Sequence, residues 1–141
     1  MYISALVAAP TAARLVGRRI LVVDDDRVAL TILSSMLRAE GADVESAGSG
    51  KDALDLLRRS RFDFLLCDVY MPEMDGFELI RQVRLLAPRS GSSVPAVAIT
   101  AHPSFENRRD AQRAGFQDLV TKPVEAQALV DVVLRLCRPT A

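Results

Sequence analysis

Ile20-Leu21-Val22-Val23 runs straight into Asp24-Asp25-Asp26, and that junction decides the fold. Four consecutive apolar residues, three of them β-branched, read as a strand buried on both faces. Asp26 to Ala39 follows with Leu30, Leu33 and Leu37 at helical spacing, and Gly41 closes the helix in the usual C-terminal position. The same alternation recurs down the chain. Val44 to Ala47 is a short, weaker strand suited to a sheet edge, and Ser49 caps a helix whose apolar stripe is Ala53, Leu56 and Leu57. Phe64-Leu65-Leu66-Cys67 is a second buried strand that ends at Asp68. Met71-Pro72-Glu73-Met74-Asp75-Gly76 reads as a loop, with Asp75 as a helix-start residue, and Phe77, Ile80, Val83 and Arg84 continue as a helix. Ala87 to Ser93 is a polar turn, Ala96 to Thr100 a fourth strand, and Ser104 a cap for a fourth helix. Leu119 to Thr121 is the fifth strand, and Leu129, Val132, Val133 and Leu136 form the core face of a last helix. Five strand-then-helix units with buried strands predict an α/β fold, a doubly wound parallel sheet with helices on both faces.

Ligand sites in such sheets lie beyond the carboxyl ends of the strands. Those ends offer Asp24, Asp25 and Asp26 from the first strand, Asp68 from the third, Thr100 from the fourth and Lys122 from the fifth. Converging carboxylates repel by about 4 kcal/mol per pair at 4 Å and an effective dielectric of 20. Such a cluster needs a cation, and hard oxygen ligands at an open face favour Mg²⁺. Carboxylates, a divalent cation, a lysine and a hydroxyl suit phosphoryl transfer, with aspartate as a known covalent phospho-acceptor. Taken singly, Asp24 to Asp26 read equally as helix capping, and Lys122 as a solvated charge. Their placement at successive strand ends of one sheet is what favours a site.

The chain has 141 residues, enough for one domain, and half of them are apolar, enough for an ordinary core. Lys plus Arg and Asp plus Glu each number 18, so no basic excess points to nucleic acid. Cys67 and Cys137 have neither metal-ligand nor disulfide spacing, which places the chain in a reducing cytoplasm, with Cys67 as plain core. No apolar stretch reaches the roughly 18 residues of a membrane span. Residues 1–17 lack a charged start, and Pro10 and Arg14 interrupt their apolar run, so they read as a flexible extension or a short added helix rather than a signal peptide.

Four blocks carry a resemblance. Ile20-Leu-Val-Val-Asp-Asp-Asp26, Leu66-Cys-Asp-Val-Tyr-Met-Pro-Glu-Met-Asp-Gly76, Ile99-Thr-Ala101 and Thr121-Lys-Pro123 resemble the signature blocks of response-regulator receivers, in order and at the family spacing. The likeness covers residues 18–138 and leaves 139–141 as a tail. It implies a flavodoxin-like five-stranded sheet of order 2-1-3-4-5. It further implies Asp68 as phospho-acceptor, Asp25 as a direct Mg²⁺ ligand, Asp24 acting on the metal through water, and the Tyr70 backbone carbonyl as the last protein ligand. Thr100 and Lys122 are then the groups that hold phosphoryl oxygens. Lys122-Pro123 is expected to be a cis peptide, and Gly76 to let the loop turn tightly beside the site. The donor implied is a phosphohistidine on a sensor histidine kinase or a histidine phosphotransfer protein. Output passes to an unidentified downstream protein, with no nucleic acid or membrane involved and no turnover of other substrates.

Ala114 to Val124 resembles receivers fused to hybrid sensor kinases, so the chain is expected to be a free-standing version or a piece of one. Tyr70 and His102 occupy the family positions that flank the path of water to an aspartyl phosphate. One departure stands out: family members that gate output through an aromatic carry it three residues before the lysine, where this chain has Leu119. Two rivals remain. Asp24-Asp-Asp-Arg-Val28 also fits the nucleophile motif of haloacid-dehalogenase phosphatases, and a pseudo-receiver that no longer takes phosphate is a pure binding module.

Overall fold

Alternating buried strands and amphipathic helices assemble as their spacing predicts. The computed structural model describes residues 13–101 and 108–137, so the expectations for His102, Ser104, residues 1–12 of the N-terminal extension and the tail at 139–141 concern positions outside that range. Five strands, β1 (Arg19–Val23), β2 (Asp43–Ala47), β3 (Phe64–Asp68), β4 (Ala96–Thr100) and β5 (Asp118–Thr121), form one parallel sheet of order β2-β1-β3-β4-β5. Helices α1 (Arg27–Arg38), α2 (Gly50–Arg59), α3 (Gly76–Arg84), α4 (Arg108–Ala114) and α5 (Ala126–Leu136) connect and follow them. The flavodoxin-like order expected from the resemblance is therefore present. β2 and β5 each begin one residue earlier than the apolar pattern indicates, at Asp43 and Asp118, because backbone pairing continues past the last apolar side chain.

Period-two alternation splits the strand side chains between two cores. Leu21, Val23, Leu65 and Cys67 face the cluster built with α2, α3 and α4. Ile20, Val22, Phe64 and Leu66 face the cluster built with α1 and α5. β1, β3 and β4 are thus covered on both sides, which is why they read as unbroken apolar runs. Helix starts follow local chemistry: Asp26 accepts the N–H groups of Val28 and Ala29, Ser49 that of Asp52, and Asp75 that of Glu78. The polar stretch after α3 holds a short 3-10 turn at Pro88–Ser90, and Gly91 leaves it at φ +96°.

Three anchors were not visible in the periodicity. Residues 14–17 form a turn whose Leu15 is fully buried in the α1–α5 core. The Leu15 N–H donates to the Glu40 carbonyl at 2.8 Å, while the Arg14 side chain reaches Glu40 on one side and Gln127 of α5 on the other. Arg84, at the end of α3, donates to the carbonyls of Gly115, Ser92 and Val94, tying three segments together. Asp118 opens β5 and is almost fully buried, accepting from the Leu119 N–H, from Arg108 of α4 and from Arg135 of α5.

Burial pushes the Asp118 carboxyl upward, but the Leu119 N–H and the two guanidiniums outweigh it and hold it below the usual carboxylate value. A depressed folded-state value stabilises the fold fully above pH of about 4, and that contribution is lost as pH falls through the folded value. Asp118→Asn should therefore cost about 1–2 kcal/mol at pH 7, a figure reduced by the exposure of both arginines. The deficit should shrink as pH is lowered from about 4. Urea denaturation of both proteins at a series of pH values measures it, and a deficit unchanged down to pH 3 would contradict the assignment.

Candidate functional site

Parallel β1, β3, β4 and β5 deliver their last residues to one end of the sheet. Asp24 follows β1 and is 1% exposed, Asp68 ends β3 at 6%, and Thr100 ends β4 with no exposed surface. Asp25 lies at the surface beside them. One carboxylate oxygen from each of Asp24, Asp25 and Asp68 falls within 4.8 Å of the others. Lys122, directly after β5, places Nζ 3.0 Å from Asp24 Oδ2 and 3.3 Å from Asp68 Oδ1. Its backbone N–H donates to the Thr100 carbonyl at 2.8 Å, which fixes where the side chain starts, and its bond to Pro123 is cis. The side chains of Asp24, Asp25, Asp68 and Lys122, predicted from three strand ends, come together, and Thr100 ends the strand that lies between β3 and β5. Tyr70 stands two residues beyond Asp68 at the start of the loop and is 44% exposed.

Asp26, also a sequence candidate, is not part of the cluster: its carboxylate caps α1. That use separates the Asp24 and Asp26 pair on which the phosphatase motif depends. Asp24 instead orders the turn, its Oδ1 accepting the Asp26 N–H at 2.9 Å while Oδ2 meets the lysine.

Electrostatics make the cluster reactive toward cations. Burial, and then the charge of Asp24, push the Asp68 carboxyl up to about 6 against the opposing pull of Lys122. Burial alone lowers the Lys122 ammonium, but its hydrogen bond to Asp24 and the charges of Asp68 and Asp24 outweigh that and raise it above its ordinary value. The lysine therefore stays charged, and one ammonium faces three carboxylates. Each carboxylate pair at this spacing carries roughly 3 kcal/mol of repulsion at an effective dielectric of 20. An all-oxygen donor set with one member at the surface fits a hard divalent cation such as Mg²⁺.

Gly76 closes the site from behind. Its N–H donates to the Val69 carbonyl at 2.8 Å, folding the loop back onto the end of β3. A Cβ at this position would lie 2.4 Å from the Asp68 carbonyl oxygen and 3.0 Å from Val69 Cα. The conformational expectation from the sequence was a tight turn, and the structure gives the steric reason. Cys67, one residue before Asp68, is fully buried, and burial first of all pushes its thiol well up, as expected of plain core.

Residues 20–134 match the response regulator receiver domain family. The chain belongs to it. This receiver domain is 48% identical over 118 residues to a 14.6 kDa protein from the sodA1 3′ region of Leptolyngbya boryana, covering 84% of this chain and 88% of that one. It is similar to the crystal structure of the receiver domain of sensor histidine kinase PA1611 from Pseudomonas aeruginosa, which has magnesium coordinated in its active-site cleft. That match has a TM-score of 0.78 and 31% identity, over 86% of this chain and 98% of the other. It is also similar to a chain of the Saccharomyces cerevisiae co-crystal of the histidine phosphotransfer protein Ypd1 with the receiver domain of Ssk1, with a TM-score of 0.78 and 26% identity over 87% and 90%. Several longer curated relatives are spanned for only 13–25% of their length. The family expectation from the four motif blocks is borne out, and the domain is a phosphoryl-accepting receiver.

Gly76→Ala forces backbone apart directly behind Asp68, so it should lower stability by about 1–3 kcal/mol. Chemical denaturation monitored by circular dichroism measures this. An unchanged midpoint would show that the loop relaxes at no cost.

Proposed function

We propose that Asp68 is the phospho-acceptor of this receiver, that Mg²⁺ binds beside it, and that the donor is a phosphohistidine of a histidine kinase or a histidine phosphotransfer protein. The observation that supports this reading most is the Lys122 ammonium held between the carboxylates of Asp24 and Asp68. In the transfer, an Asp68 carboxylate oxygen attacks the donor phosphorus, the P–N bond breaks, and the imidazole leaves. Lys122 already sits within hydrogen-bond reach of that oxygen, so its charge meets the incoming phosphoryl oxygens without rearrangement. Thr100, at the end of the adjacent strand, is the hydroxyl group for the same oxygens. Asp24, Asp25, Asp68 and the Tyr70 carbonyl would hold the metal, which when bound supplies the positive charge that the carboxylates and the phosphoryl group require. Similarity to a receiver whose cleft contains magnesium, and to one crystallised with a phosphotransfer protein, supports both assignments.

The receiver on this reading modifies itself and does not turn over other substrates. Among the described residues no helix is long and apolar enough to cross a membrane, and both cysteines are free, which suits a reducing cytoplasm. Leu119 is partly buried against the α2–α4 core and offers no aromatic ring to gate output. The signal therefore goes to a protein partner by another contact.

Incubation with acetyl phosphate and Mg²⁺ should add one phosphoryl group, and Asp68→Asn should abolish it. Intact-protein mass spectrometry reads the result, and equal labelling of the variant would remove Asp68 from the role.

Mg²⁺ alone should raise the melting temperature, because it binds the folded cluster and not the unfolded chain. Asp25→Asn should weaken that response and raise the metal-free melting temperature by relieving repulsion. A thermal scan that is flat from zero to millimolar Mg²⁺ would rule out the metal site.

A further inference from the structure

No residue from Val69 to Asp75 is a glycine, yet the loop they form turns through a positive φ. The Met74 N–H donates to the Pro72 carbonyl at 2.8 Å, with Glu73 between them at φ +70°. A turn closed across a single residue at positive φ is the rare, strained hand of the γ-turn. Strained backbone persists only where its surroundings hold it. Hydrogen bonds hold the two ends of this loop: the Val69 N–H donates to the Ile99 carbonyl at 2.9 Å, and the Asp75 carboxylate caps α3. Side chains hold its middle. Met71 is buried in the α2–α4 core, and Met74 packs against the edge of the same core.

Met74 meets α2 at Gly50. A Cβ on Gly50 would stand 2.6 Å from Met74 Sδ, 3.0 Å from its Cγ and 3.2 Å from its Cβ. Three successive side-chain atoms therefore lie over one glycine, and a methyl group there displaces the methionine from its root as well as its flexible end. Nothing else calls for glycine at this position. Gly50 is not one of the glycines at positive φ, and alanine is the better helix former. What the glycine supplies is a seat for Met74, and that seat is firm. Ser49 Oγ accepts the Asp52 N–H at 3.1 Å, and Ala53, Leu54 and Leu57 of the same helix are buried. The strand before it is tied to the acidic end of the sheet, since the Asp24 N–H donates to the Ala47 carbonyl at 3.2 Å.

We propose that Gly50 and Met74 are positioning residues for the cation site: Met74, seated on Gly50, holds the strained loop that carries the Tyr70 carbonyl in one setting against the acidic cluster. This rests on the assignment of Mg²⁺ to Asp24, Asp25, Asp68 and the Tyr70 carbonyl. Neither residue is a ligand, and both act through the loop backbone. Mg²⁺ accepts little departure from octahedral geometry at short distances, whereas Ca²⁺ takes more oxygens at longer and looser ones. Loss of the seat therefore costs Mg²⁺ more than Ca²⁺. Substituting either residue by alanine leaves the charge of the cluster unchanged, so a difference between the two cations reports ligand placement.

Isothermal titration calorimetry with MgCl₂, and separately with CaCl₂, at constant ionic strength tests it on the parent chain, Gly50→Ala, Met74→Ala and the double variant. Each single variant should weaken Mg²⁺ binding about tenfold, the loss typical when a group that supports metal ligands is removed. Ca²⁺ binding should change by less than about threefold. The double variant should bind Mg²⁺ no more weakly than Met74→Ala, because the added methyl then has no side chain to displace. Urea denaturation alongside establishes that each variant is folded. Met74→Ala adds no atoms to be accommodated, so it carries the test even where Gly50→Ala folds poorly. Mg²⁺ affinity within about twofold of the parent in both single variants would overturn the proposal. Equal losses for the two cations, or additive losses in the double variant, would do the same. A parent chain that binds no Mg²⁺ would instead remove the metal site itself, and the role of Met74 with it.

Discussion

One ammonium between two buried carboxylates organises the functional end of this molecule. Lys122 reaches Asp24 and Asp68 together, and those residues end adjacent strands, so their charges stand side by side with little solvent between them. A buried carboxylate without a partner costs several kcal/mol, and two neighbouring ones cost more. The sheet order places β5 two strands away from β3, with β4 between, so the lysine must cross over the end of β4 to reach them. Its backbone bond to the Thr100 carbonyl sets that crossing. The three functional strand ends are thus coupled by a single side chain whose own position depends on the sheet register.

The cluster remains undercompensated even so, and this separates a receptive site from a finished salt bridge. One positive charge offsets part of three negative ones, and the Asp68 carboxyl moves up to about 6 as a result, first through burial and then through Asp24. Elsewhere the fold treats a buried carboxylate differently: Asp118 receives two guanidiniums and a backbone N–H and is held low. The two aspartates are thus treated differently within one small domain: Asp118 is neutralised by its partners, whereas Asp68 shares a single ammonium with Asp24.

Much of this was legible in the sequence because the strands announce themselves. Buried parallel strands such as Ile20–Val23 and Phe64–Cys67 are continuous apolar runs, and the rule that sites gather at their carboxyl ends singles out Asp24, Asp25, Asp68, Thr100 and Lys122. The division of labour within Asp24-Asp25-Asp26 was not legible, since capping and ion binding use the same side chain and only geometry assigns Asp26 to α1. Asp118 with Arg108 and Arg135 was equally hidden, because pairs formed across α4, β5 and α5 leave no periodic signal. Leu15 escaped for a different reason: a single apolar residue in a polar turn has no period to detect.

That turn also bears on how the domain responds to a pull at its N-terminal side. Tension arriving there meets Leu15, seated in the core, and Arg14, bonded to Glu40 beyond α1 and to Gln127 on α5. The load path accordingly runs into the α1–α5 layer before it reaches β1. A pull there is shared between β1 and the layer of α1 and α5 and is not borne by the strand alone.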